Sequence, residues 1–124
     1  MQEFRISLPN QPGQLARVAE ALGKQGVNIR TVAAIGAANP VIALVTELED
    51  KTKSTLQGLG LSFEEVETLT VRIPDQPGEL GKVATKLSEA MVNIDSIYML
   101  NKSGEVEIAL TVSNVAKAKQ ALGL

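Results

Sequence analysis

The chain has 124 residues, of which 44% are hydrophobic and 21% charged, which suits one ordinary packed domain or two very small ones. A formal net charge of -2 does not attract nucleic acid, and one Tyr with two Phe cannot supply the aromatic platforms that hold single strands. His and Cys are absent, which excludes the commonest general base, thiolate chemistry and the usual nitrogen and sulfur metal ligands.

Each half of the chain is expected to begin with a strand followed by a helix. Apolar and polar residues alternate over Phe4–Leu8 and over Leu69–Ile73, as in a strand with one buried face. The apolar residues that follow recur at helical spacing. Pro12 and Pro77 are expected in the first helical turn, where proline is favoured.

The ends of these two helices are expected to differ. Gly26 stands where the first helix should end in the left-handed conformation, which glycine adopts without steric cost. The second half has Met91 at that position, so we expect its chain to leave the helix in another way.

The remaining elements follow in the same order in both halves. The predicted strands are 27–35, 41–48 and 61–67 in the first half and 92–100 and 106–112 in the second, and the predicted helices are 50–59 and 114–122. Gly36, Asn39 and Pro40 are expected in the turn between the second and third strands.

An internal repeat explains this common order. The stretch LPNQPGQLARVAEALGKQGVNI (8–29) aligns without a gap with IPDQPGELGKVATKLSEAMVNI (73–94), and eleven of the twenty-two positions are identical. Unrelated stretches of this length share about one or two residues. We therefore expect a duplication, with domains over residues 1–67 and 68–124. The fold class is α+β, two tandem ferredoxin-like βαββαβ units of which the second lacks its last strand.

The repeated loop between the first strand and helix can bind an anion. Asn10-Gln11-Pro12-Gly13 and Asp75-Gln76-Pro77-Gly78 precede helix starts, whose unpaired N–H groups carry about half a positive charge. Glycine lets a ligand approach the backbone there. The alternative is that Asn10 and Asp75 only cap the helices.

A Val-Asn-Ile triplet enters the second strand of each unit. Asparagine is disfavoured inside strands, so Asn28 and Asn93 either bond their own backbone in a turn or serve a ligand. We expect the first loop and the start of the second strand to lie side by side, which would bring amide donors and acceptors to the helix start. A small zwitterion matches that combination.

Both units resemble ACT domains, small ferredoxin-like regulatory modules that bind amino acids. The resemblance is carried by the two loops with Leu15 and Leu80, and by Gly26-Val27-Asn28-Ile29 and Val92-Asn93-Ile94. It implies a ligand between two units, in contact with the first loop of one and the second strand of the other. The implied ligand-binding residues are Asn10, Gln11, Pro12, Gly13, Gln14, Leu15, Asn28, Ile29, Asp75, Gln76, Pro77, Gly78, Glu79, Leu80, Asn93 and Ile94.

Two departures from the family pattern bear on the ligand. Some members have a histidine just before the loop, where this chain has Leu8 and Ile73. Asp75 replaces the asparagine of the first loop, which favours an α-ammonium or a cationic side chain in the second unit. We therefore expect two sites that are not equivalent.

The resemblance favours a stand-alone regulatory or sensor protein that binds a free amino acid, is not an enzyme, and needs no cofactor or metal. The alternative is an interaction or dimerisation module that associates with a separate metabolic enzyme and binds no small ligand. Glu64, Glu65 and Glu67 form a dense acidic cluster that could hold a divalent cation, but a solvated strand face is the simpler interpretation.

The partners expected from the sequence are an amino acid and a second copy of the chain. The short second sheet leaves an unpaired edge, which favours a two-fold homodimer. Neither nucleic acid nor membrane is expected as a partner. The sequence shows no basic leader and no apolar run near the roughly 20 residues of a membrane span, so we expect a cytoplasmic protein.

Overall fold

The computed structural model describes residues 1–36 and 40–124, which divide into two compact units, Met1–Val66 and Glu67–Leu124. Asn39, expected in a turn, lies outside the described residues. The elements of the first unit are β1 (Gln2–Ser7), α1 (Gln14–Lys24), β2 (Ile29–Ile35), β3 (Val41–Thr46), α2 (Glu49–Gly58) and β4 (Phe63–Glu67). Those of the second are β5 (Leu69–Pro74), α3 (Glu79–Glu89), β6 (Ile94–Ser103), β7 (Glu105–Val112) and α4 (Val115–Leu122).

The first unit has a four-stranded sheet in the order β2-β3-β1-β4. β3 pairs antiparallel with both β1 and β2, so β1 and β2 run in the same direction on either side of it. The side chains of Phe4, Ile6, Ile42 and Leu44 point from this sheet into a core that is completed by Val18 and Leu22 of α1 and by Leu56 of α2. The expected ferredoxin-like order is therefore confirmed.

The second unit repeats this arrangement with one strand fewer. Its sheet has the order β5-β7-β6 among the described residues, so β5, the counterpart of β1, lies at an edge. One face of this sheet packs against α3 and α4, and the core between them includes Leu87, Leu110 and Ala118. The expectation that the second unit ends in a helix without a last strand is confirmed.

The two first helices end in the same way, contrary to expectation. Gly26 has a φ of 73° and Met91 a φ of 59°, both left-handed. The Gly26 N–H donates to the carbonyl of Gly23 at 3.0 Å, and the Met91 N–H donates to that of Ser88 at 2.9 Å. Met91 thus takes the left-handed exit that glycine takes without steric cost, and Leu87 before it and Val92 after it are both buried.

Candidate functional site

The loop after β1 reaches α1 through a turn and not through a side-chain cap. Gln11-Pro12-Gly13-Gln14 has the geometry of a type II turn, with proline at its second position and Gly13 at φ 89°, ψ -7°. The Gln14 N–H donates to the carbonyl of Gln11 at 3.4 Å, which closes the turn. Gly13 is the N-cap of α1, and glycine has no side chain that could bond to the first-turn amides.

The second unit repeats this turn closely. Gly78 is the N-cap of α3 at φ 88°, ψ -12°, and the Glu79 N–H donates to the carbonyl of Gln76 at 3.4 Å. The expectation that Pro12 and Pro77 begin the helices is therefore wrong, because each proline is the second residue of a turn whose glycine, at positive φ, still precedes the helix. The alternative in which Asn10 and Asp75 cap the helices is also wrong, since a glycine occupies each capping position.

A different helix shows what a side-chain cap looks like in this protein. Asn114 precedes α4 and its side-chain oxygen accepts a hydrogen bond from the Lys117 N–H at 3.0 Å. This bond satisfies one of the amide groups that every helix start leaves without an intrahelical partner. The starts of α1, α2 and α3 have no such side-chain cap, and in α1 the amides that follow that of Gln14 are available to another acceptor.

A small pocket of about 110 Å³ lies beside the first loop. It is lined by loop and helix residues together with the end of β2 and the start of β3. The lining residues are Leu8, Pro9, Asn10, Gln11, Gln14, Leu15, Ala34, Ile35, Gly36, Val41 and Ile42. Four of the predicted site residues thus meet at one place, Asn10, Gln11, Gln14 and Leu15.

Gln14 is one of the residues that line this pocket, and its side chain holds one buried polar atom. Its side-chain Oε1 is buried and has no hydrogen-bond partner, although the residue as a whole is half-buried. Buried polar atoms in folded proteins nearly always have a partner, so an orphan acceptor needs an explanation.

Gly36 brings the end of β2 against the Asn10 side chain. A Cβ placed on Gly36 would lie 2.8 Å from Nδ2 of Asn10, closer than real Cβ atoms come. Only glycine therefore allows Asn10 to keep this position. Sequence reasoning assigned Gly36 to a turn and missed its contact with the loop, because the contact joins residues far apart in the chain.

Asn28 does not lie beside this pocket. It precedes β2, and the strand registers place Ile29 opposite Thr46, while both Ser7 and Ile35 lie opposite Val41. The loop after β1 and the start of β2 are therefore at opposite ends of the sheet, and the expectation that they are neighbours within one unit is wrong. Because β1 and β2 are parallel, only their matching ends can be adjacent.

The second asparagine also precedes its strand. The Asn93 side-chain Nδ2 donates to the carboxylate of Asp95 at 2.9 Å, and its backbone N–H donates to Oγ of Ser113 at 2.9 Å. Neither asparagine bonds its own backbone among the described contacts, and both are exposed. Val27 and Val92, which were expected to open the strands, are buried core residues just outside the ladders.

Lysines partner the acidic groups of the second loop. Lys102 Nζ lies 3.1 Å from Oδ2 of Asp75, and Lys82 Nζ lies 3.0 Å from Oε1 of Glu79. Asp75 and Glu79 correspond in the repeat to Asn10 and Gln14, which are uncharged. The two loops therefore share a backbone and differ in charge.

The three glutamates of the β4 region behave as surface residues. Glu65 pairs with Lys53 at 3.5 Å and Glu67 with Lys119 at 3.8 Å. Across residues 1–36 and 40–124, no three His, Cys, Asp or Glu residues are grouped as they would be around a metal ion. No helix in the described parts of the chain is long and apolar enough to cross a membrane.

Residues 3–54 match the ACT domain family. This match confirms the resemblance over most of the first unit, and for the second unit the assignment rests on the repeat and stays a prediction. No curated protein matches the chain by sequence.

Solved structures of low identity share the fold over almost the whole chain. A protein from Bacteroides thetaiotaomicron is 24% identical with a TM-score of 0.89, covering 98% of this chain and 85% of its own. The ligand-free regulatory subunit of aspartate kinase from Thermus thermophilus is 18% identical with a TM-score of 0.69, covering 98% and 87%. The aspartate kinase of Clostridium acetobutylicum is 17% identical with a TM-score of 0.62, covering 98% and 31%.

Proposed function

We propose that the protein is a tandem ACT protein, with domains over residues 1–67 and 68–124, that senses a free amino acid and catalyses no reaction. The observation that carries this proposal is the start of α1, which has no side-chain cap and lies beside the pocket lined by Asn10, Gln11 and Gln14. The fold likeness to a regulatory subunit of aspartate kinase supports a regulatory role.

The chemistry of the first loop suits both ends of an amino acid. The first-turn amides of α1, including that of Leu15, offer donors and a partial positive charge to a carboxylate. The carboxamides of Asn10 and Gln14 offer acceptors to an ammonium group. A phosphate would satisfy the amides but would leave these acceptors without a donor.

Completion of the site needs a second unit, because Asn28 and the loop lie at opposite ends of one sheet. β2 is an edge strand, and antiparallel pairing of two such edges would bring the start of one strand beside the end of the other. Val32 and Ile35 of this edge are 45% and 69% exposed. We propose that two copies of the chain form a homodimer in which Asn28 and Ile29 of one unit reach the loop of another.

A thermal-shift screen with the twenty amino acids tests the sensor function. At a concentration of about a hundred times the Kd, a ligand that binds only the folded protein stabilises it by about 2.7 kcal/mol. For a chain of this length, that corresponds to an increase of several degrees in Tm. Inorganic phosphate is the control and should cause no shift. If none of the twenty changes the Tm, the sensor proposal is wrong and the interaction-module alternative replaces it.

Alanine substitutions test whether the second-strand asparagines contact the ligand. Asn28→Ala should weaken binding by about 1–3 kcal/mol, because a polar group of the bound ligand loses its partner. The free protein should keep its stability within about 0.5 kcal/mol, since Asn28 is exposed. Asn93→Ala is the matched variant in the second unit, and calorimetry with denaturation measures both quantities. Equal losses of affinity and stability would assign these asparagines to the fold alone.

A further inference from the structure

Some of the cationic side chains have a carboxylate beside them and others do not. Those that pair with an acidic side chain include Arg5, Lys53, Arg72, Lys82, Lys102 and Lys119. No carboxylate in the described parts of the chain lies within ion-pair distance of a second group, which is found on helices: Arg17, Lys24, Lys51, Lys86 and Lys117. Three of these side chains meet at one groove of the first unit.

This groove lies between α1 and α2 and has a volume of about 400 Å³. Much of its lining carries small side chains, such as Ala21 and Gly58, which would let another helix approach closely. The hydroxyls of Ser54 and Thr55 also line it, and both donate to the carbonyl of Lys51, at 3.1 and 2.7 Å. An anion in the groove would therefore be bound by the cations around it.

These cations stand at both ends of the groove. Arg17 of α1 donates to the carbonyl of Leu59 at 2.9 Å, and Lys51 of α2 donates to the carbonyl of Gln25 at 3.3 Å. Lys24 itself lines the groove, and none of the described lining residues is acidic. Guanidinium and ammonium groups have several donors each, so one bond to a carbonyl leaves the others, and the charge, available to a partner.

The spacing of the cations indicates the size of that partner. Arg17 and Gln25 are eight positions apart, which is about 12 Å along a helix axis at about 1.5 Å per residue. One phosphate or one carboxylate is too small to reach both ends, whereas acidic residues at positions i, i+4 and i+8 of a helix cover the same distance. No helix in the described parts of this chain carries acidic residues at that spacing, so a second copy does not supply them.

We propose that the groove between α1 and α2 binds an acidic helix of another protein, with its carboxylates against Arg17, Lys24 and Lys51. A flat membrane surface would leave the recess between the two helices empty, whereas a helix laid in the groove fills it. In the second unit, Lys82 matches Arg17 in the repeat and already pairs with Glu79 at 3.0 Å. This interaction goes beyond the sensor function and does not depend on it.

Fluorescence anisotropy on the full chain tests the charge requirement. The probe is a labelled, alanine-rich helical peptide with glutamate at positions i, i+4 and i+8, and its control has glutamine there. We expect saturable binding of the glutamate peptide alone, weakened by added NaCl because exposed charges are screened. Lys24→Glu should weaken this binding at least about tenfold, since it places like charges together. Lys86→Glu makes the same charge change on an exposed position of α3 and should leave binding unchanged within about twofold.

Two glycines of the helices provide a steric test of the groove itself. A Cβ placed on Gly58 or on Gly23 would meet nothing within 4 Å, and neither residue has a positive φ, so a larger side chain fits the fold at both positions. Only Gly58 lines the groove. Gly58→Phe should therefore weaken binding of the glutamate peptide at least about tenfold, whereas Gly23→Phe should not. Urea denaturation of both variants verifies that they fold.

The proposal is overturned if the glutamate peptide shows no saturable binding. It is also overturned if Lys24→Glu and Lys86→Glu, or the two phenylalanine variants, have equal effects, because the charge of the whole chain and not the groove would then attract the peptide. Phosphatidylserine vesicles and single-stranded DNA are measured with the same variants. If either binds in a manner that Lys24→Glu abolishes while the glutamate peptide does not bind, the surface belongs to that partner instead. The amino-acid screen is a separate measurement, so the sensor function stands or fails independently.

Discussion

The loops after β1 and β5 have the same backbone and different chemistry. Gly13 and Gly78 agree within 1° in φ and 5° in ψ, and both turns close with a 3.4 Å hydrogen bond. The first loop is neutral and borders a small pocket, whereas the second holds two carboxylates that pair with lysines. The repeat has therefore kept the geometry of the loop while the charge of its side chains has changed.

Matching substitutions in the cores of the two units should have similar effects on stability, although substitutions in the two loops should not. Leu22 and Leu87 occupy matching positions of α1 and α3 and are both fully buried. Leu22→Ala and Leu87→Ala should each lower the free energy of unfolding by about 2–5 kcal/mol, through lost burial and the cavity left behind. Urea denaturation measures both. A difference of more than about 2 kcal/mol would show that the two cores are not equivalent.

Because α1 and α3 end in the same conformation, the residue at each end can be replaced by mutation with the one found in the other unit. Met91→Gly should raise the free energy of unfolding by up to about 1 kcal/mol, because a left-handed methionine is strained and the residue is 85% exposed. Gly26→Met should lower it by a similar amount. A Cβ on Gly26 would meet open space, so only the backbone conformation is tested. If Met91→Gly lowers the free energy of unfolding in the same denaturation assay, Met91 makes a compensating contact.

Substitutions at the charged residues of the second loop should have the smallest effects on ligand affinity. Lys102 and Asp75 are 57% and 46% exposed in their side chains, so their ion pair is weak, about 0.2–1 kcal/mol. Lys102→Ala should therefore raise the affinity of the second unit for L-lysine by up to about fivefold, because the ligand no longer competes with it. Asp75→Asn should reduce the discrimination between L-lysine and L-alanine. If calorimetry finds this discrimination unchanged, the charge of Asp75 has no role in selectivity.

The fold was predictable because each unit shows its hydrophobic periods clearly. Alternation around Phe4 and Leu69 predicted the first strands, and the repeat supplied the order of the rest. The errors lie at element ends, where apolar residues such as Val27 and Val92 join the core without joining a ladder. A core position predicts that a side chain is buried, but it does not predict whether the backbone of that residue pairs with a neighbouring strand.

The site was predictable only in part. The Pro-Gly pair of each loop is typical of a type II turn, and this signal could have placed Gly13 and Gly78 ahead of the helices. Gly36 and Lys102 carry no local signal, because their contacts with Asn10 and Asp75 join residues that are 26 and 27 positions apart. Such contacts depend on strand register, which periodicity alone leaves open.

Backbone amide NMR during titration with each amino acid that raises the Tm tests most directly whether the first loop is a binding site for a free amino acid. We expect saturable shifts for the amides of residues 10, 11 and 13–15, and a different response from those of residues 75, 76 and 78–80 at the same concentrations. Unchanged amide shifts in the first loop, or equal responses of the two loops to the same amino acid, would contradict this expectation.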